Sequence, residues 1–242
     1  MFYFDEINGK KILRSDLIKT EHFFTTRESF IKTKDPDLTD ITKTNIEDIK
    51  NYLGVKKLIS PKQTHTSNIE IVQLGKEEYP DTDGLILTEK DIAIFLNFAD
   101  CTPVIIYDNK QNIGAVSHAG WRGTAGNIAS KTVEKMVKEF SSNPENMTAA
   151  IGPAISMCCY NVGEEVFEQL KSTVKNFDNL YEIRNRKIFV DLKGINKRQL
   201  EECGVKEIDV CPYCTVCDND MFFSYRRENA TTNRHSAVLK LK

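Results

Sequence analysis

The sequence has no long apolar run. Its apolar stretches, such as 103–107 and 115–116, are far too short to cross a bilayer, so no membrane span is expected. The basic-then-apolar opening of a secretory leader is also missing, because MFYFDEINGKKILRSD carries acids where a leader needs a basic region. Neither sign of charge dominates. The 33 Lys and Arg against 35 Asp and Glu leave a net charge of −2, so no basic field points to nucleic acid or to a membrane surface. No GxxxxGK[ST] phosphate loop, internal repeat or low-complexity segment is present. Histidine is scarce, with four in the chain: His22, His65, His118 and His235. The seven cysteines are an odd number in a chain with no secretory address. That argues against a disulfide framework, favours free or metal-bound thiols, and makes the cytoplasm the expected compartment.

What is present is an ordinary globular composition, with 40% hydrophobic and 28% charged residues over 242 positions. Segments 2–7, 11–18 and 22–26 read as strands, with Asn8-Gly9 as a hairpin turn. The polar stretch 28–44 reads as a long loop, followed by a helix over 46–53 capped by Thr44 or Asn45 and stopped by Gly54. Further strands are expected at 57–60, 69–74, 85–88, 93–98, 103–107, 113–117, 149–151, 187–190, 205–210 and 236–241. Helical spacing marks 125–140, 163–175 and 192–202, the last with Asp191 as its cap. Strands outnumber helices and do not alternate strictly with them. The expected fold is therefore a single α+β domain over 1–242, built on a mixed β-sheet with flanking helices rather than a doubly wound parallel sheet.

The chain is organised around 97–127, NFADCTPVIIYDNKQNIGAVSHAGWRGTAGN. Cys101 stands at the start of one apolar run and His118 at the end of the next, while His65 sits in the polar turn PKQTHTSN. Two imidazoles and a thiolate make a three-ligand zinc set with a fourth position open. The separations of 36 and 17 residues are not a local metal motif, however, and two surface histidines beside a buried cysteine fit the same pattern. A third reading is nucleophilic: His118 holds Cys101 as a thiolate, and Asp100 orients a histidine or acts as acid or base. The turn 120–126, GWRGTAG, opens a helix with backbone N–H groups beside Arg122, an arrangement that favours an anion or simply allows close packing. Arg226 and Arg227, between aromatics in FFSYRRE, are either surface charge or the wall of an anion and base pocket, and Arg27 is a further isolated candidate. Cys211, Cys214 and Cys217 have C-x-x-C spacing and, with Cys158 and Cys159, suggest a zinc or iron–sulfur site. No second C-x-x-C pair closes a ligand set, so free thiols are the expected state.

Five motifs carry a resemblance: QTH at 63–65, NFADCTPVIIYD at 97–108, SHAGWRGTAGNI at 117–128, IGPAIS at 151–156 and FFSYRRE at 222–228. Together they resemble the YfiH-like or laccase-domain proteins, the multicopper polyphenol oxidase-like family now described as purine nucleoside phosphorylases. The resemblance implies a zinc site on His65, Cys101 and His118 and a fold similar to the cytotoxic necrotizing factor deamidases, an α+β sandwich. It implies phosphorolysis of adenosine, inosine, guanosine and 5′-methylthioadenosine, together with adenosine deamination. The implied partners are purine nucleosides and phosphate, in a monomer or homodimer. The older oxidase name implies copper, but the chain lacks the several histidine clusters a multicopper centre needs. Three departures fall at Glu28, where the family has a glycine turn, at Thr66 after the QxH motif, and at Asn233 in TNR.

On this reading Cys101, His118 and Asp100 are the catalytic residues, and Arg27, Arg122, Arg226 and Arg227 bind substrate or phosphate. Asp100 and Asp83 are candidates to protonate the leaving base. The alternatives are a metal-free Cys–His hydrolase or deamidase, a metal- or redox-binding protein built on CPYCTVC, and, more distantly, a phenol oxidase.

Overall fold

The computed structural model describes residues 1–29, 31–32 and 40–242. In chain order the elements are β1 (Phe2–Ile7), β2 (Lys10–Ser15), β3 (Glu21–Thr25), β4 (Ile31–Lys32), α1 (Asp40–Leu53), β5 (Lys57–Ile59), β6 (Ile69–Ile71), β7 (Gly84–Leu87), β8 (Ile92–Phe98), β9 (Thr102–Asp108) and β10 (Ile113–Ala119). They continue with α2 (Trp121–Ala125), α3 (Ile128–Phe140), β11 (Met147–Ile151), β12 (Asn161–Val162), α4 (Glu164–Lys171), β13 (Tyr181–Arg184), β14 (Lys187–Val190), α5 (Leu192–Glu202), β15 (Glu207–Val210) and β16 (Asn233–Lys240).

The strands form two large sheets. One runs β1-β2-β3-β16-β8-β5, with β4 also on β16, and the other runs β15-β11-β9-β10-β7-β6. Both are mixed: β5 is parallel to β8, β6 to β7 and β15 to β11, while the other pairs are antiparallel.

Side-chain alternation explains the layering. Along β8, Ile94, Leu96 and Phe98 enter the core between the sheets, whereas Ala93 and Phe95 face outward beneath α1. Along β9, Ile105 and Tyr107 enter the same central core, whereas Val104 and Ile106 face α3 and α5. The central strands are thus apolar on both faces, which is why they read as continuous hydrophobic runs. Each fully buried Val, Leu, Ile or Phe contributes roughly 1.5–3 kcal/mol, and the result is two sheets face to face with a helical layer outside each. The expected α+β fold with mixed sheets is what forms. A third, three-stranded sheet, β12-β14-β13, packs with α4 and the start of α5 over Ile155, Tyr160, Phe167 and Leu192.

Several boundaries differ from expectation. The 28–44 segment is not all loop. A 3₁₀ turn forms at Arg27–Ser29 and α1 begins at Asp40, while 30 and 33–39 lie outside the described residues. Thr44 and Asn45 are therefore inside the helix rather than caps, and the Thr44 hydroxyl donates back to the Asp40 carbonyl at 2.8 Å. The helix expected over 125–140 starts at Ile128 and is preceded by a separate short helix, α2, ending at Ala125. Asn127 takes a left-handed φ of 59° between them, and Gly126 lies so close to the 61–68 loop that a Cβ there would stand 2.8 Å from the Ser67 hydroxyl. Asp191 occupies the position before α5 without a side-chain capping bond. The hairpin strand β13 was not anticipated. Its turn places Asn185 and Arg186 at φ of 49° and 60°, a two-residue turn without the glycine that usually signals it.

Candidate metal centre and its cavity

Strand register assembles the centre. β9 and β10 pair with Ala119 opposite Thr102 and His118 opposite Pro103, so Cys101, one residue before β9, meets His118 at the end of β10. On the other side of β10, Ser117 pairs with Gly84, so Asp83 reaches His118 from the start of β7. The backbone N–H of His118 donates to the Asp83 carbonyl at 2.7 Å, and its Nδ1 lies 2.7 Å from Asp83 Oδ1.

Asp83 also gathers the third member. Its carboxylate accepts the backbone N–H groups of Thr64 and His65, each at 3.1 Å, and of Thr66 at 2.7 Å, together with the Thr66 hydroxyl at 2.9 Å. The 61–68 loop is thereby wrapped around one buried carboxylate. Gln63 pins it to β8 by exchanging two hydrogen bonds with the Asn97 backbone, at 2.8 and 2.9 Å. One imidazole nitrogen of each histidine and the Cys101 sulfur all lie within 4.8 Å of one another, and the two rings are 4.9 Å apart.

Local backbone conformation is part of the construction. His65 and Asp100 adopt left-handed φ values of 65° and 82°. For residues other than glycine this costs on the order of 1–3 kcal/mol each, and it persists only where surrounding bonds impose it. His65 is held by its N–H to Asp83. Asp100 is held at both oxygens, accepting the Thr215 hydroxyl at 2.6 Å and the Arg226 backbone N–H at 2.7 Å. Gly120 supplies the close approach: a Cβ there would stand 2.9 Å from the Cys101 sulfur and 3.3 Å from the His65 ring.

The electrostatics follow from burial and pairing. Burial pushes the Asp83 carboxyl up, but the His118 ring and the Thr66 N–H outweigh it and hold it down at about 2. For Cys101, burial opposes the thiolate, yet His118 and His65 prevail and the thiol lies well below its ordinary value. Burial opposes the His118 imidazolium as well, but Cys101 and Asp83 raise it well above the usual histidine range. With no metal, these directions favour a Cys101 thiolate beside a His118 imidazolium whose ring Asp83 orients.

The three side chains line a cavity of about 950 Å³. Its polar wall includes Arg122, Arg226, Arg234 and Asn161, and Trp121, Tyr160 and Tyr225 supply aromatic surface. Arg122 stacks on Trp121 at 4.2 Å, and Arg226 lies 5.5 Å from the Tyr160 ring with one N–H donated to Asn161 at 3.2 Å. Burial raises the Tyr160 phenol far above its usual range. It also lowers the Arg234 guanidinium, whose N–H groups hold the carbonyls of Thr231 and Asn233.

Among the residues singled out in the sequence, His65, Asp100, Cys101, His118, Arg122 and Arg226 share this cavity. Arg27 and Arg227 lie outside its lining. Arg27 pairs with Glu228 and stacks on Phe223 at 4.3 Å, and Arg227 donates to the Val216 carbonyl. Asp83 is not a proton donor to a bound base. It is fully buried behind His118, with both oxygens engaged. Tyr160 and Arg234 also line the cavity, yet neither carries a sequence signal of that role: Tyr160 follows the cysteine pair in MCCYN, and Arg234 ends the TNR triplet. The other two histidines, His22 and His235, are buried and belong to neither donor group; His235 stacks on Phe98, whose ring also packs on His118.

The chain has relatives over most of its length. It is 33% identical over 191 residues to adenosine deaminase RL5 from an unknown prokaryotic organism, covering 73% of this chain and 72% of that protein. It is 33% identical over 218 residues to the purine nucleoside phosphorylase YlmD of Geobacillus stearothermophilus, covering 84% and 79%. The crystal structure of YlmD from that organism superposes with a TM-score of 0.91 at 27% identity, over 99% of this chain and 98% of the other. The hypothetical protein YfiH of Bacillus licheniformis gives the same TM-score of 0.91 over 99% of both chains. Residues 24–242 match the family described as multi-copper polyphenol oxidoreductase laccase, and the chain belongs to that family.

Proposed function

We propose that this chain is a zinc-dependent purine nucleoside phosphorylase with adenosine deaminase activity, its metal held by His65, Cys101 and His118. The observation that carries the reading is the convergence of these three donors on one point in a cavity that also presents cations and aromatic faces. The donor set fits zinc: two imidazoles and a thiolate, with one histidine backed by a buried carboxylate, leave a fourth position for water or substrate. The relatives named as purine nucleoside phosphorylases and an adenosine deaminase support the substrate class. Copper in the multinuclear form is disfavoured, because His22 and His235 join neither donor group and no second histidine cluster exists among the described residues.

A bound zinc ion supplies Lewis acidity and activates water at neutral pH. The rest of the chemistry belongs to the chain. The aromatic faces of Trp121, Tyr160 and Tyr225 suit a purine, and the Tyr160 phenol stays protonated at neutral pH and so can donate a hydrogen bond to it. Arg122, Arg226 and Arg234 suit phosphate. In phosphorolysis a phosphate oxygen bonds to the sugar C1′ as the bond from C1′ to the base breaks, and the base departs with the electron pair and takes a proton. Fixed guanidiniums hold the attacking anion and offset the charge developing in a partly desolvated cavity, so positioning and electrostatics carry the rate. Arg27 and Arg227 are tied elsewhere, to Glu228 and to the Val216 carbonyl, and do not reach the bound anion.

The test incubates the pure protein with inosine, with and without phosphate, and measures zinc on the same sample. Phosphate-dependent release of hypoxanthine by zinc-loaded protein, lost in His118→Ala, is the expected result. Full phosphorolysis by protein stripped of metal overturns the reading.

A second reading has its own observation, the Cys101–His118 ion pair with Asp83 behind it. It makes Cys101 a nucleophile in a metal-free hydrolase. It requires rapid alkylation of Cys101 in protein as isolated, whereas a zinc-bound thiolate is protected until a chelator is added.

A further inference from the structure

Away from the cavity the fold brings together a second set of donors. The sulfurs of Cys158, Cys159, Cys214 and Cys217 all lie within 4.8 Å of one another, with Cys217 at 3.7 Å from Cys158 and 3.5 Å from Cys159. The C-x-x-C spacing that matters is therefore 214–217. Cys211 is buried in the central core and takes no part.

We propose that these four cysteines form a structural zinc site, separate from the His65–Cys101–His118 centre. A tetrahedral ion with Zn–S bonds of about 2.3 Å requires its four sulfurs to stand roughly 3.8 Å apart. Two of the pairs, at 3.7 and 3.5 Å, meet that demand, and the others lie within 4.8 Å. An iron–sulfur core would insert iron and sulfide between the cysteines and spread opposite pairs well beyond the 4.8 Å seen here. Four ligands that close the coordination sphere are the mark of a structural site rather than a catalytic one.

The surroundings are those of an anionic cluster with a defined scaffold. The N–H of Ser156 donates to the Cys214 sulfur at 3.4 Å. The 214–218 turn is closed both ways: the Cys214 N–H donates to the Asp218 carboxylate at 2.7 Å, and the Asp218 N–H donates to the Cys214 carbonyl at 2.7 Å. A parallel bridge joins Ala154 to Cys214, and the Thr215 N–H donates to the Ala154 carbonyl at 3.1 Å, so the two cysteine-bearing segments are already stitched together. Two cations flank them. Arg184 donates to the carbonyls of Met157 and Cys158, at 2.9 and 3.1 Å, and Arg227 donates to that of Val216. A zinc tetrathiolate carries a net charge of −2 by simple addition, and guanidiniums beside it offset that charge.

The site also has a purpose within the fold. Cys159 is followed by Tyr160 and Asn161, which line the cavity, and Cys214 is followed by Thr215, whose hydroxyl holds Asp100 beside Cys101. One ion would clamp two loops that have no helix or long strand of their own and would fix that wall of the cavity. Such a clamp serves whichever reaction the cavity performs.

The experiment counts metal on full-length protein prepared under reducing conditions and reconstituted with zinc. His118→Ala, which disables the first centre, retains one zinc per chain. After exchange for cobalt(II) that variant shows the intense thiolate-to-cobalt charge transfer and tetrahedral d–d bands of a four-sulfur site. Adding Cys217→Ser removes the tetrathiolate spectrum and lets a chelator strip the remaining metal. Cys203→Ser, whose thiol lies outside the cluster, changes neither. If Cys217→Ser does not fold, Cys158→Ser, which alters an exposed side chain, is the substitute. The proposal is overturned if reconstituted His118→Ala binds no zinc, if iron and sulfide are found in place of zinc, if its cobalt spectrum lacks the four-sulfur signature, or if peptide mapping finds these cysteines joined in disulfides.

Discussion

The two donor clusters differ in ways that follow from their places in the fold. His65, Cys101 and His118 are delivered by the ends of paired strands and one loop, are backed by a fully buried carboxylate, and open onto a cavity. Cys158, Cys159, Cys214 and Cys217 come from two turns at the edge of the third sheet, and two of the four are exposed. Three ligands beside a cavity leave a place for a reactant, whereas four ligands in a surface turn leave none. Ligand number and enclosure, more than residue type, separate a centre built for chemistry from one built to hold loops.

The sharpest break of this contrast is His118→Ala. It should abolish metal binding at the first centre and lower turnover by about 10³-fold or more, while the cysteine cluster keeps its zinc. Nucleoside turnover and metal content on one preparation check both halves.

The histidines outside both clusters sharpen the contrast through acid sensitivity. Burial lowers His22 to about 4, and its neutral ring accepts the Ser15 N–H at 3.1 Å while its other nitrogen lies 2.9 Å from the Thr20 carbonyl. Between pH ~6.5 and ~4 the unfolded chain binds the proton and the folded one does not, so stability falls as pH drops through that window, by about 3 kcal/mol. Denaturant titrations of chelator-treated wild-type protein and His22→Gln at several pH values should show the slope reduced in the variant.

Next come the supports of the first centre. Asp83→Asn and Gly120→Ala should each weaken zinc binding there by about 10–100-fold, the first by loosening His118 and the 61–68 loop, the second by driving a methyl group against the Cys101 sulfur. Competition with a chromophoric chelator measures this, and the cysteine cluster provides the internal control. The smallest effect separates two arginines. Arg122→Ala should raise the KM for phosphate by about 10-fold through loss of one charged contact, while Arg227→Ala leaves it unchanged because that guanidinium holds the Val216 carbonyl. Steady-state kinetics with phosphate varied decides between them.

Much of the first centre was legible because its geometry is written along neighbouring strands. Cys101 before one apolar run and His118 after the next must meet if those runs form a hairpin, and register does the rest. Asp83 was legible only as a candidate acid for the leaving base. That it orients His118 depends on β7 pairing with β10, a contact between segments about thirty residues apart that no local pattern specifies. Arg27 looked as promising as Arg122, and only packing against Glu228 and Phe223 takes it out of the cavity. The cysteines were legible in part: the sequence joins the C-terminal run to Cys158 and Cys159 but cannot tell which of its three members approach them, whereas the fold buries Cys211 in the central core and brings Cys214 and Cys217 to the vicinal pair more than fifty residues away.

The sequence by itself determined most of the strands and an α+β fold, and it put Cys101 and His118 at the outer ends of two consecutive apolar runs, because period-two burial and hairpin pairing are local physics. Tertiary structure alone decided which carboxylate backs His118, which arginines face the cavity and which four sulfurs share a point in space. Those outcomes depend on how sheets and loops from distant parts of the chain are brought within a few ångströms of one another.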